Sequence, residues 1–220
     1  TSKEVTYEIF IESVIAEPIP TVYCDLSGTV DGLKAFHTKI GVRLVPDWPL
    51  TENHPLIKDY QEPKPVAQAN GFKFDYKSLL ACAWGIPSAA FGEIYKIFDN
   101  GIRKAVRLPG PPYHFMSRVT KITRPIGEFK SGGEVVIEYD IPPDAWYFNE
   151  NPAQVMPYVV LIEVALQPCG WLASYVGSAT LTKTELLFRN LDGKGKLTRD
   201  ITPRDKKITT HVKNLSLSRS

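Results

Sequence analysis

Two polar side chains, Glu163 and Gln167, stand one helical turn apart inside Met156 to Gly177, a run otherwise apolar almost all round. On a helix that spacing puts both on one face. A carboxyl among apolar side chains loses hydration, which disfavours its charged form and keeps a proton available for donation. Glu is seldom fully buried without purpose, so the pair reads as a proton-donating site. The plainer reading is a neutral core Glu hydrogen-bonded by Gln167. Other chemistry is harder to assemble. His37, His54, His114 and His211 are scattered, and each reads as a surface or packing residue. Cys24, Cys82 and Cys169 form no CxxC pair, which fits buried thiols in a reducing compartment, and Cys169 reads as core packing. The sequence carries no P-loop, dinucleotide glycine signature or metal-binding His pair.

The elements that would position this pair can be read from pattern. Val5, Tyr7, Ile9 and Ile11 alternate with Thr6, Glu8 and Glu12, as in a half-buried strand. Thr21 to Val30 and Leu33 to Val45 read as two more strands joined by the Asp31-Gly32 hairpin signal. The Pro-rich stretch 47–70 reads as a linker. Asp75 caps an expected helix over Tyr76–Trp84, and Ser88 a second over Ala89–Phe98. Strands are expected at Tyr113–Thr123 and Gly133–Ile141, and again at Thr182–Arg189, Gly195–Ile201 and Lys207–Leu217. Met156–Gly177 is expected to be a helix roughly 30 Å long, buried on every side. Its length would suit a membrane span. Glu163, Gln167, Pro168 and Gly170 inside it, and the lack of flanking basic clusters, favour a helix enclosed by a curved sheet. The expected class is α+β.

Composition excludes little else. Hydrophobic residues at 43% and charged residues at 23% are those of a folded domain, not a disordered one. A net charge of +2 is too small and too dispersed for a nucleic-acid binder. The opening residues alternate apolar with charged, unlike a signal peptide, so a cytoplasmic location is expected. Lys3-Glu-Val-Thr-Tyr-Glu-Ile near the start echoes Lys206-Lys-Ile-Thr-Thr-His-Val near the end, as if one strand occurred in two successive repeats.

Around the long helix the sequence runs Asp140-Ile-Pro-Pro-Asp-Ala-Trp146-Tyr-Phe148, then Val155-Met156-Pro157, then Glu163-x-x-x-Gln167. This resembles the 3-hydroxyacyl-[acyl carrier protein] dehydratases, enzymes of the hotdog fold. That family shows Asp-x-x-x-Asp-x-Trp-Phe-Phe, a catalytic His, Val-Met-Pro-Gly, and Asp-x-x-x-Gln on a central helix. The runs 108–118, 165–177 and 188–193 look like the dehydratase region of polyunsaturated fatty acid synthases and related polyketide synthases, where hotdog repeats lie in tandem. The resemblance implies an antiparallel sheet wrapped around a central helix. It implies residues 1–46 as the last strands of one hotdog repeat, 47–70 as linker, and 71–220 as the start and middle of the next.

The resemblance also implies a reaction. A 3-hydroxyacyl chain carried as a thioester on acyl carrier protein loses water, with or without double-bond isomerisation, and no cofactor is needed. Glu163 falls at the family's acid and Gln167 at its partner, while Phe148, Met156, Pro157 and Tyr158 fall at substrate-lining positions. Two departures matter. Asn151 stands opposite the family's His, and Asn cannot accept a proton at neutral pH. Tyr158 replaces the Gly whose N–H faces the thioester oxygen. The missing base is then expected from a neighbouring hotdog, either a repeat of the same polypeptide or a second copy, and the isolated chain is expected to be inactive. A noncatalytic hotdog that braces its neighbour or binds acyl chains is the alternative, and a hotdog thioesterase a further one. The basic residues between Lys194 and Lys213, interrupted by Asp200 and Asp205, read as a solvated face before a carrier-protein docking patch.

Overall fold

The computed structural model describes residues 4–218 except 19, 44–65 and 192. The expected linker lies mostly outside these residues, as do His54 and the end of the third expected strand. The chain divides into two compact units, Thr1–Pro49 and Leu50–Ser220.

The first unit is an antiparallel meander of β1 (Val5–Ile15), β2 (Thr21–Val30) and β3 (Leu33–Arg43), in that order. Asp31 and Gly32 both take positive φ, the pair of left-handed residues a two-residue hairpin turn needs. Asp31 secures the open end of the sheet: its carboxylate accepts the Glu4 N–H at 2.9 Å, and its own N–H donates to the Glu4 carbonyl at 3.0 Å. The Phe36 ring lies over Gly28, where a Cβ would sit 2.2 Å from Phe36 Cε1. Only a glycine lets that ring lie flat.

In the second unit a small hairpin, β4 (Gln68–Ala69) and β5 (Phe72–Lys73), leads into α1 (Tyr76–Ala81). The Asp75 carboxylate accepts the Ser78 N–H at 3.1 Å, so the expected cap is formed. The second expected helix differs. Pro87, whose fixed φ suits a first helical position, starts α2 (Pro87–Phe91) ahead of Ser88, and Gly92 at φ 72° ends it. A 3-10 turn, Glu93–Phe98, completes the stretch.

The sheet of this unit has the order β6 (Arg118–Ile122), β7 (Glu134–Asp140), β8 (Lys207–Lys213), all antiparallel. Along β7, Val135, Ile137 and Tyr139 are buried and alternate with half-exposed neighbours, the signature of a sheet with one covered face. Between β7 and β8 come a short α3 (Trp146–Asn149) and α4 (Tyr158–Tyr175). Val160, Val164, Trp171 and Tyr175 of α4 are buried. The first two join Phe115 and Tyr139 in one core cluster; the last two join Phe74, Phe91 and Ile137 in another.

Three expectations are corrected here. Tyr113–Thr123 pairs as strand only from Arg118. The segments 182–189 and 195–201 make no strand, and most of their residues face solvent. The long helix is not buried on every side: Val159 is 67% and Ile162 39% exposed, beside the three strands that the described residues supply. Among the described residues no helix is long and apolar enough to cross a membrane.

Candidate active site

The site begins with Gln167, which is 1% exposed and uses both ends of its amide. Its Oε1 accepts the Phe115 N–H at 2.8 Å, and its Nε2 donates to the Tyr113 carbonyl at 2.8 Å and to Glu163 Oε1 at 3.1 Å. The 113–115 segment approaches α4 outside the strand ladder, and an amide side chain supplies both the donor and the acceptor it needs. Gln167 therefore joins the segment to the helix and orients the Glu163 carboxyl.

Glu163 is half-buried at the wall of a cavity of about 410 Å³. Leu108, Leu166, Ala173 and Phe188 form apolar parts of its lining, and Arg107 and Arg189 bring positive charge. Arg107 donates to the Ala81 and Gly85 carbonyls at 2.9 and 2.7 Å, which fixes its position, and burial lowers its pKa. The Tyr113 hydroxyl is pushed up by burial, with the nearby Glu163 charge adding to the effect. Neither arginine nor Phe188 stands out in the sequence as a partner of Glu163. Residues that far apart in the chain meet only through the fold.

The other residues singled out from sequence lie apart from this cavity. Phe148 and Met156 are 2% and 5% exposed and pack in the core beside Val160 and Val164. The Met156 N–H donates to the Ile201 carbonyl at 2.8 Å. Pro157 is the cap residue of α4, and Tyr158 is its first helical residue. The backbone N–H groups of that first turn carry the positive end of the helix dipole. The Tyr158 hydroxyl lies against Gly195, where a Cβ would stand 2.5 Å away. Cys169, expected in the core, is exposed instead and lines the same cavity. Cys24 and Cys82 are the buried thiols, and burial drives the pKa of Cys82 up.

Among the described residues no base stands at hand. Asn151 closes its own loop: Nδ2 donates to the Val155 carbonyl at 2.7 Å, and Oδ1 accepts the Ala153 N–H at 3.1 Å. His114 is 1% exposed, with Nδ1 3.0 Å from the Pro109 carbonyl and its ring edge-on to Tyr76. Burial lowers its pKa to about 4. It is a neutral packing residue and is absent from the cavity wall. His37 pairs with Asp25 on the first unit, and His211 is exposed on β8. Among the described residues no group of His, Cys, Asp and Glu could hold a metal ion.

Comparison with known proteins gives this arrangement a lineage. The FabA-like domain family matches residues 108–220, just over half the chain, including β6, β7, α4, β8 and the Glu163–Gln167 pair. The chain is 33% identical over 140 residues to one of the subunits of the polyunsaturated fatty acid synthase of Thraustochytrium sp., an alignment covering 59% of this chain. It spans only 9% of that relative's length. An antiparallel sheet packed on a long central helix, matched over its whole extent, establishes that this chain belongs to the FabA-like domain family and has the α+β hotdog fold.

Proposed function

We propose that this chain supplies the acid half of a hotdog dehydratase acting on 3-hydroxyacyl chains carried as thioesters by acyl carrier protein, within a polyunsaturated fatty acid or polyketide synthase. In this reaction a base removes a proton from C2, and the C3 hydroxyl leaves as water after accepting a proton from an acid. The double bond forms between C2 and C3. Glu163 is the acid, held in place by Gln167. The Tyr158 N–H, at the start of α4 and outside the cavity wall, falls where the resemblance puts the donor to the thioester oxygen. Phe148, Met156 and Pro157 support the wall behind that helix end. The base is a His from a neighbouring hotdog, and residues 1–46 are the closing strands of the preceding repeat, with 71–220 opening the next.

The observation that carries this reading is a carboxyl oriented by a buried amide at a cavity whose wall is partly apolar and partly lined by arginine. The test has two arms. The purified chain alone should not turn over a 3-hydroxyacyl thioester. In a polypeptide carrying the adjoining repeat, Glu163→Gln should lower kcat by about 10²-fold or more, the range for loss of a general acid. Steady turnover by the isolated chain would overturn the divided site.

A second reading is a noncatalytic hotdog that braces its neighbour. Asn151, spent on its own loop, favours it. Full activity of the Glu163→Gln polypeptide would establish it.

A further inference from the structure

The cavity beside Glu163 holds more positive charge than the acid role uses. Its wall carries one carboxyl, Glu163, against two guanidiniums, Arg107 and Arg189. Among the described residues neither arginine pairs with a carboxylate. Arg107 is held by the Ala81 and Gly85 carbonyls at 2.9 and 2.7 Å, and neutral carbonyls fix a guanidinium without cancelling its charge. Burial pushes its pKa down, as it does for any cation short of water. A guanidinium has more N–H donors than those two carbonyls occupy, and their planar fork matches a carboxylate.

Beside these charges the lining is apolar, from Leu108, Leu166, Ala173 and Phe188. Gly170 of α4 makes that side possible. A Cβ there would stand 2.8 Å from Leu108 Cδ2 and 3.4 Å from the Phe188 ring, so its absence lets both close on the helix. The volume of about 410 Å³ lies within the range of small-molecule sites, roughly 300–1,000 Å³. A small inorganic anion would leave the apolar lining unfilled. An uncharged chain would take water from the arginines and give nothing back. The complement of such a wall is one molecule with an anionic head and an apolar tail. The phosphate of a pantetheine arm fits less well, because that arm sets it many bonds away from the acyl chain, whereas here charge and apolar lining share one small space.

We propose that this cavity binds a free medium-chain fatty acid, its carboxylate on Arg107 and Arg189 and its tail against Leu108, Leu166 and Phe188. The site belongs to the second unit alone and does not need Glu163 to act as an acid. Where Glu163 does act on a thioester, an occupant of this kind excludes that thioester, and a free fatty acid becomes a competitive inhibitor; this consequence rests on the dehydratase reading.

The test titrates the full chain with decanoate below its micelle concentration, read by calorimetry and by alkylation of Cys169. That thiol is exposed and lines the cavity, whereas Cys24 and Cys82 are buried, so iodoacetamide reports on this space. Decanoate should bind saturably and slow the alkylation. Decanol, a tail without the charge, and inorganic phosphate, a charge without the tail, should each bind more weakly by about tenfold or more. Arg189→Ala should weaken decanoate by about tenfold or more, as loss of a charged hydrogen bond does, and leave decanol unchanged. Arg189 is exposed, so this variant should fold; Arg107→Gln repeats the experiment at the second guanidinium, with circular dichroism as the check of its fold. Absence of saturable decanoate binding overturns the proposal, as does decanol or phosphate bound as tightly as decanoate. Undiminished decanoate binding by folded Arg189→Ala overturns it too. None of these readings needs turnover, so a chain without dehydratase activity leaves the test intact.

Discussion

Gln167 shows how one side chain can serve structure and chemistry together. Its amide satisfies one N–H and one carbonyl of the 113–115 segment and still reaches Glu163. Gln167→Leu would leave two backbone groups without partners in the interior, at a cost of about 1–3 kcal/mol each where water cannot replace the bond. We expect a lower denaturant midpoint for this variant, whereas Glu163→Gln, half-exposed at the cavity wall, should unfold near the wild-type midpoint. His114 makes a separate prediction. Its pKa falls from 6.5 to about 4 because burial disfavours the imidazolium. The unfolded chain then binds the proton more readily, so stability is complete above pH 6.5 and declines as pH falls toward 4. Denaturation between those two pH values should show this decline, and His114→Phe should flatten it.

At the level of elements, the sheet of the second unit is fastened by charge as well as by its ladder. Arg118 of β6, 2% exposed, lies 2.6 Å from Glu138 of β7 and also pairs with Asp140, while Lys207 of β8 reaches Glu138 at 2.7 Å. All three strands meet in this network. Burial pushes the Glu138 carboxyl up, but hydrogen bonds from Lys207 and Arg118 outweigh that and hold it below its usual range. Removing the guanidinium strands two partly buried carboxylates, which costs about 3–5 kcal/mol in comparable sites. Arg118→Ala should therefore lose much of the unit's stability. A greater loss than for Lys207→Ala, read by the same denaturation, would place the weight of the network on the buried member.

For the whole molecule, burial is unevenly shared. Trp171, Tyr175, Val119 and Val135 of the second unit are sealed from solvent, while β1 of the first unit has every residue exposed. Amide hydrogen exchange should reflect this. The amides of β7 and α4 should exchange slowly, near the rate of global unfolding, and those of β1 far faster.

Local pattern determined a good deal about this protein. Alternation marked β1, Asp31-Gly32 placed the hairpin, Asp75 marked the start of α1, and the apolar run marked α4, because each of these depends on neighbours within a few residues. The Glu163–Gln167 spacing, together with the resemblance around Trp146 to Pro157, pointed to the family before any fold was drawn. Other features were decided by packing at long range. Phe188 and Arg107 meet at the cavity through the tertiary fold alone. The segments 182–189 and 195–201 carry strand-like residues, yet stay outside the sheet with most of their side chains in solvent. An all-round apolar helix suggested burial on every side, and only the packing around α4 shows which residues, Val159 and Ile162 among them, face outward. Hydrophobic sequence states that surface must be covered; tertiary packing decides which surface is.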